Sequence, residues 1–208
     1  VVRDEELRIP DKEEFKVNLF SPAENRIYMV AKKIVDSSWS QPSSMADGAG
    51  VLLYIWNRAF YQDGSTLDFD KLEECISRNS EVLQSFRNKS ILGVATDDAE
   101  VIKKLFEDFM NALVGIEDKR GTVGVTKALH LLAPEFFPMW ETQIAIDYGC
   151  TTSSKDVAEE YICFCKLIQE VAKEVKDYPN LPKDRTLVKL IDEYNHSTRE
   201  VPKVIRKK

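Results

Sequence analysis

Apolar residues recur at helical spacing along most of the chain. Ile27, Tyr28, Ala31, Ile34 and Val35 fall on one helix face. Ser21-Pro22-Ala23-Glu24 before them is a start signal: serine can cap, proline suits the first helical position, and glutamate can close a capping box. Ser37 to Ser44 is a polar break containing Pro42. Met45 to Tyr61 reads as the most apolar helix, with Ala49, Leu52, Leu53, Trp56, Ala59 and Phe60 on one side. Its wide apolar surface predicts a buried central helix, and Asp63-Gly64-Ser65 closes it. Two short helices follow over Leu67–Ser77 and Ser80–Arg87, divided at Asn79-Ser80. Asp97-Asp98 is expected to cap a helix with the stripe Val101, Ile102, Leu105, Phe106, Phe109, Met110 and Leu113.

Further on, residues 155–176 predict a long helix with Val157, Tyr161, Phe164, Ile168, Val171 and Val175 inward. Tyr178-Pro179-Asn180-Leu181-Pro182 breaks it, and Asp184 is expected to cap a last helix through Leu187, Leu190, Ile191 and Tyr194. Near the N-terminus, Phe15, Val17 and Leu19 alternate, as in an extended arm or a single strand. There is no repeat, no low-complexity tract and no convincing sheet. The expected class is all-α, about nine mostly short helices, in one unit spanning 1–208. Residues 1–20 form an arm, 21–200 the helical body and 201–208 a basic tail.

Composition narrows the picture. Hydrophobic residues make up 43 % and charged residues 31 %, an ordinary globular balance. No run reaches the ~18 apolar residues of a membrane span, and no basic-then-apolar leader opens the chain. The expected setting is therefore intracellular, cytoplasmic or nuclear, with no membrane partner. Cys75, Cys150, Cys163 and Cys165 fit neither a metal motif nor a disulfide framework, so reduced thiols are expected. With only His130 and His196 as histidines, neither a metal site nor a cofactor is expected. The net charge of −6 argues against broad, nonspecific nucleic-acid binding. Locally the balance reverses: Lys119, Arg120 and Lys127 carry residues 119–134 to +3 without an acidic residue. The tail Lys203, Arg206, Lys207, Lys208 is basic too, as a solvated chain end often is.

Chemistry concentrates in Gly121–Gly149. Arg120-Gly121-Thr122-Val123-Gly124 does not read as helix interior. Its glycines permit a tight turn with close backbone approach, and the amides of the following helix are then open to a phosphate. The plainer role for the glycines is to let two helices meet at a sharp angle. Lys127 follows among Val125, Ala128, Leu129, Leu131 and Leu132. A lysine there either snorkels to the rim or is buried, which favours its neutral, nucleophilic form. The loop Pro134-Glu135-Phe136-Phe137-Pro138-Met139-Trp140 is too apolar to be exposed, so it packs into the core or lines a pocket. Glu141 then opens a short helix, a position a carboxylate favours whatever its function.

The order of glycine turn, lysine, apolar helix, apolar-proline loop, carboxylate and short helix ending in Tyr148-Gly149 resembles the helix-hairpin-helix DNA glycosylase superfamily. The resemblance covers about 30 residues closely. It implies a compact fold of two helix layers with the hairpin element near residues 105–133. Gly121, Val123 and Gly124 match the hairpin whose amides hold a DNA phosphate, with Lys119 and Arg120 beside it. Lys127 matches the Schiff-base lysine of the bifunctional members, and Glu141 the carboxylate, an aspartate in the family. Asp147, six residues on, is the less favoured carboxylate. The glycines here are three apart rather than two, and the lysine-to-carboxylate interval is shorter. The implied activity is excision of a damaged base, an oxidised purine first, from double-stranded DNA, with AP-lyase cleavage through Lys127. Trp140 and Trp56 are candidate walls of the base pocket. Two alternatives stand beside it: a non-enzymatic α-helical binding module, and a lesion binder with a degenerate site.

Overall fold

The structure, a computed structural model, describes residues 5–7, 9–13, 15, 22–58, 61, 67–114, 121–198 and 204–206. Among these the fold is all-α, with nine α-helices and one 3-10 turn. They are α1 (Pro22–Ser37), α2 (Pro42–Trp56), α3 (Phe69–Arg78), α4 (Ser80–Arg87), α5 (Asp98–Ala112), α6 (Thr122–Leu132), α7 (Thr142–Asp147), α8 (Val157–Val175) and α9 (Leu187–Ser197). A two-stranded antiparallel ribbon departs from the expectation of no sheet: Glu5–Leu7 pairs with Val204–Arg206, so part of the expected arm lies against part of the expected tail. Among the described residues, no helix is long and apolar enough to cross a membrane.

Most predicted helix starts are confirmed, although the capping residues differ. Pro22 does begin α1; Ser21 lies outside the described residues. Pro42 sits in the first turn of α2, where a missing N–H costs nothing, so that helix starts three residues before Met45. Its expected end at Asp63-Gly64-Ser65, and its positions Ala59 and Phe60, lie outside the described residues. Asp97 makes no capping bond; Asp98 instead accepts from the Ala95 amide and from Lys89. Thr186, not Asp184, caps α9 by accepting from the Lys189 amide. Gly149 adopts φ 70°, the left-handed C-terminal position that glycine takes without strain.

Two groups of helices meet at α6. In one, α2 packs on α1 and α3; in the other, α8 packs on α5 and α9; α6 touches α1, α2 and α5. The central helix is therefore α6 rather than α2. Tyr54 and Ile55 of α2 are exposed, whereas every residue of α6 except Val123 is buried. A helix buried all round is apolar in the ordinary case. α6 carries a lysine and a histidine into that setting.

Candidate active site

Lys127 is 5 % exposed. Its amine donates to the Trp56 carbonyl at 2.5 Å, at the C-terminal end of α2. A cation at a helix C-terminus also complements the helix dipole. Gly124 makes this approach possible. A Cβ there would sit 3.1 Å from Asn57 Nδ2 and 3.5 Å from Leu53 Cδ2, so even alanine would need the Asn57 side chain to give way slightly.

Glu141 is brought in by a loop that is buried rather than exposed. Phe136, Phe137 and Trp140 have no exposed surface. Side chains satisfy the loop's backbone carbonyls, as buried peptide groups require: Tyr161 donates to Pro138 O at 2.9 Å and His130 Nδ1 to Phe137 O at 2.8 Å. One bond sets the register. The Trp140 amide donates to Thr126 Oγ1 at 3.3 Å, tying the residue before Glu141 to the residue before Lys127. The Glu141 carboxylate makes no capping bond to α7. It turns toward Lys127 instead, Oε1 to Nζ 3.7 Å, with its side chain 35 % exposed. Asp147 accepts from Gln143 at 3.0 Å, one turn away on α7.

Three further side chains, His130, Tyr28 and Lys189, are linked to one another and to Trp56, and of these periodicity marks only Tyr28 as core. His130 lies one turn along α6 from Lys127. A carbonyl can only accept, so the bond to Phe137 O places the proton on Nδ1. Burial, seconded by the Lys189 cation, lowers the His130 pKa to about 4. The neutral ring therefore leaves Nε2 to accept from the Tyr28 hydroxyl at 3.1 Å. Tyr28, whose phenol burial keeps protonated, stacks on Trp56 with centroids 5.8 Å apart and planes 11° from parallel. Beyond it Lys189 places its ammonium 5.3 Å from the Tyr28 ring and 5.0 Å from the Trp56 ring. Lys189 is 1 % exposed and pairs with Asp192 at 2.8 Å. Periodicity assigns Lys189 and Asp192 to solvent, opposite Leu187, Leu190, Ile191 and Tyr194, whereas residues 188–195 are all buried.

The remaining candidates separate. Trp56 borders the site through both its carbonyl and its ring. Trp140 is a correction: its ring packs among Phe106, Tyr161 and Phe164, and its indole N–H donates to Thr122 O at 3.3 Å, so it is core rather than pocket wall. Gly121 precedes α6 with φ −81°, a conformation open to any residue. Val123 and Gly124 lie in the helix's first turn rather than in a preceding turn, and Gly124 serves helix packing. Lys119 and Arg120 lie outside the described residues.

No family model, curated protein or solved structure matches the chain. What the site can do must come from its own chemistry. A buried lysine amine with a partly exposed carboxylate 3.7 Å away can serve as a nucleophile with a proton acceptor in reach once it has lost its proton. Glu141 is the more exposed of the two, its side chain 35 % exposed against 6 % for Lys127.

Proposed function

We propose that the chain is a DNA base-excision glycosylase with AP-lyase activity, with Lys127 as nucleophile and Glu141 as its electrostatic partner. The observation that supports this most is the convergence of Lys127 and Glu141, 3.7 Å apart, from two elements separated by a buried loop. A damaged nucleotide extruded from the duplex costs a few kcal/mol of unstacking, least at a lesion. Its sugar C1′ is then attacked by the neutral Lys127 amine as the base departs with its bonding electrons. Glu141 stabilises the positive charge developing on the sugar and accepts the lysine proton. Ring opening gives a Schiff base, from which β-elimination cleaves the strand. For Lys127 to react, its amine must leave the Trp56 carbonyl, a step that substrate entry at Glu141 would drive.

The test is borohydride trapping on duplexes carrying 8-oxoguanine, uracil or an abasic site, with wild type and Lys127→Ala in parallel. A covalent adduct lost in the variant is expected, strongest with the oxidised purine. An adduct that survives moves the chemistry to another amine. Absence of both adduct and cleavage on every substrate sinks the lyase reading and leaves base release and DNA binding to separate a monofunctional glycosylase from a binder.

A further inference from the structure

We propose that the cleft between α1 and the start of α9 is a docking groove for the DNA strand, beside the Lys127 site. This rests on reading the chain as a DNA-acting protein. The cleft has a volume of about 930 Å³. Its lining holds five cations, Arg26, Lys32, Lys33, Arg185 and Lys189, against two carboxylates, Asp36 and Asp184. Arg185 and Lys189 are offset by Glu193 and Asp192 just behind the lining, so the positive excess rests on Arg26 and Lys33, on a chain whose net charge is −6. Since phosphate neutralisation dominates nucleic-acid affinity, an acidic protein that binds DNA needs such a restricted positive surface.

The cations differ in what they are free to do. Lys32 pairs with Asp36 at 2.5 Å, Arg185 with Glu193, and Lys189 with Asp192 at 2.8 Å. Arg26 and Lys33 are exposed, and among the described residues neither forms an ion pair. They stand seven residues apart on one face of α1, about 10 Å along the helix axis, which spans about three 3.4 Å steps of a DNA strand. Between them on that face lie Met29 and Val30, 52 % and 53 % exposed. Two cations about three nucleotide steps apart, with an apolar surface between them, match a strand whose phosphates they meet at either end of an apolar contact to the intervening sugars or bases. Tyr28 lines the same cleft and stacks on Trp56, whose carbonyl holds Lys127. The cleft and Lys127 are thus joined through the Tyr28–Trp56 stack.

The experiment is binding of a fluorescent abasic-site duplex across a salt series, with wild type, Arg26→Ala, Lys33→Ala, the double variant, and Lys104→Ala as an exposed control outside the cleft. Each cleft variant is expected to lower the slope of log affinity against log salt by about one, and the double variant by about two. Lys104→Ala should leave it unchanged. An unchanged slope in the double variant, an equal fall in the control, or no wild-type binding at low salt overturns the proposal. Borohydride trapping is scored on the same samples. A Lys127 adduct with an unchanged slope keeps the proposed reaction and removes the groove. Slope loss without any adduct keeps the groove and removes the reaction.

Discussion

Two buried lysines flank Trp56, and they are held in different ways. Lys189, on α9, is enclosed by two aromatic faces and two carboxylates, Asp192 at 2.8 Å and Glu193 at 3.9 Å. Burial alone would raise the pKa of Asp192, but Lys189 and His196 more than offset it and hold the carboxylate below its usual range. Glu193 goes the other way: burial outweighs its cations and raises its pKa. Lys127, on α6, donates to a carbonyl and faces, at longer range, a carboxylate that is itself partly exposed. Both amines are buried, but the carboxylate facing Lys127 is farther away and more exposed than the one paired with Lys189. Under the proposed reaction this looser pairing, rather than burial, is what distinguishes Lys127.

Lys189→Met should give the largest effect, because it leaves Asp192 charged and unpaired in the interior. A loss of about 3–5 kcal/mol is expected in chemical denaturation. Lys127→Met should cost less, about 1–3 kcal/mol, since it removes the donor to the Trp56 carbonyl while its long ion pair to a partly exposed carboxylate contributes little. Equal losses would break the comparison.

Next is pH. The His130 pKa is lowered in the fold to about 4, so between that value and about 6.5 the unfolded chain binds the extra proton. Stability should therefore rise with pH across this window, by about 3 kcal/mol, and be lost as pH falls toward 4. Denaturation curves from pH 4 to 7 should show that slope in wild type and a shallower one in His130→Gln. Tyr28→Phe leaves Nε2 of His130 without its donor and should cost about 1–2 kcal/mol. The smallest stability change belongs to Glu141→Gln, under about 1 kcal/mol. Under the proposed reaction the same change lowers the trapping rate about a hundredfold, so single-turnover kinetics and melting should diverge most sharply there.

Periodicity made most of the helices legible, because buried faces repeat at 3.6 residues and Pro22, Pro42 and Gly149 mark boundaries. It placed the centre wrongly. α2 and α6 are both apolar, and only packing reveals that Tyr54 and Ile55 face solvent while α6 is enclosed. Lys127 and Glu141 were legible from order and residue type. Their meeting was not, since it depends on Thr126 accepting from an amide 14 residues away. Tyr28 and His130 were hidden because polar atoms at core positions look like core until their partners are known. The terminal ribbon escaped because three-residue strands carry too short an alternation to register.

The segment from Ala133 to Glu141 works as a fixed-length spacer. One end continues from α6, the other is pinned back to that helix through Trp140, and its intervening carbonyls at Phe137 and Pro138 are occupied by His130 and Tyr161. Such a strut has no slack to absorb an added or deleted residue. Point substitutions at its rim leave the carboxylate in place, whereas a single-residue change in length carries Glu141 past the amine it faces. Length, more than residue identity, is the quantity this segment holds constant.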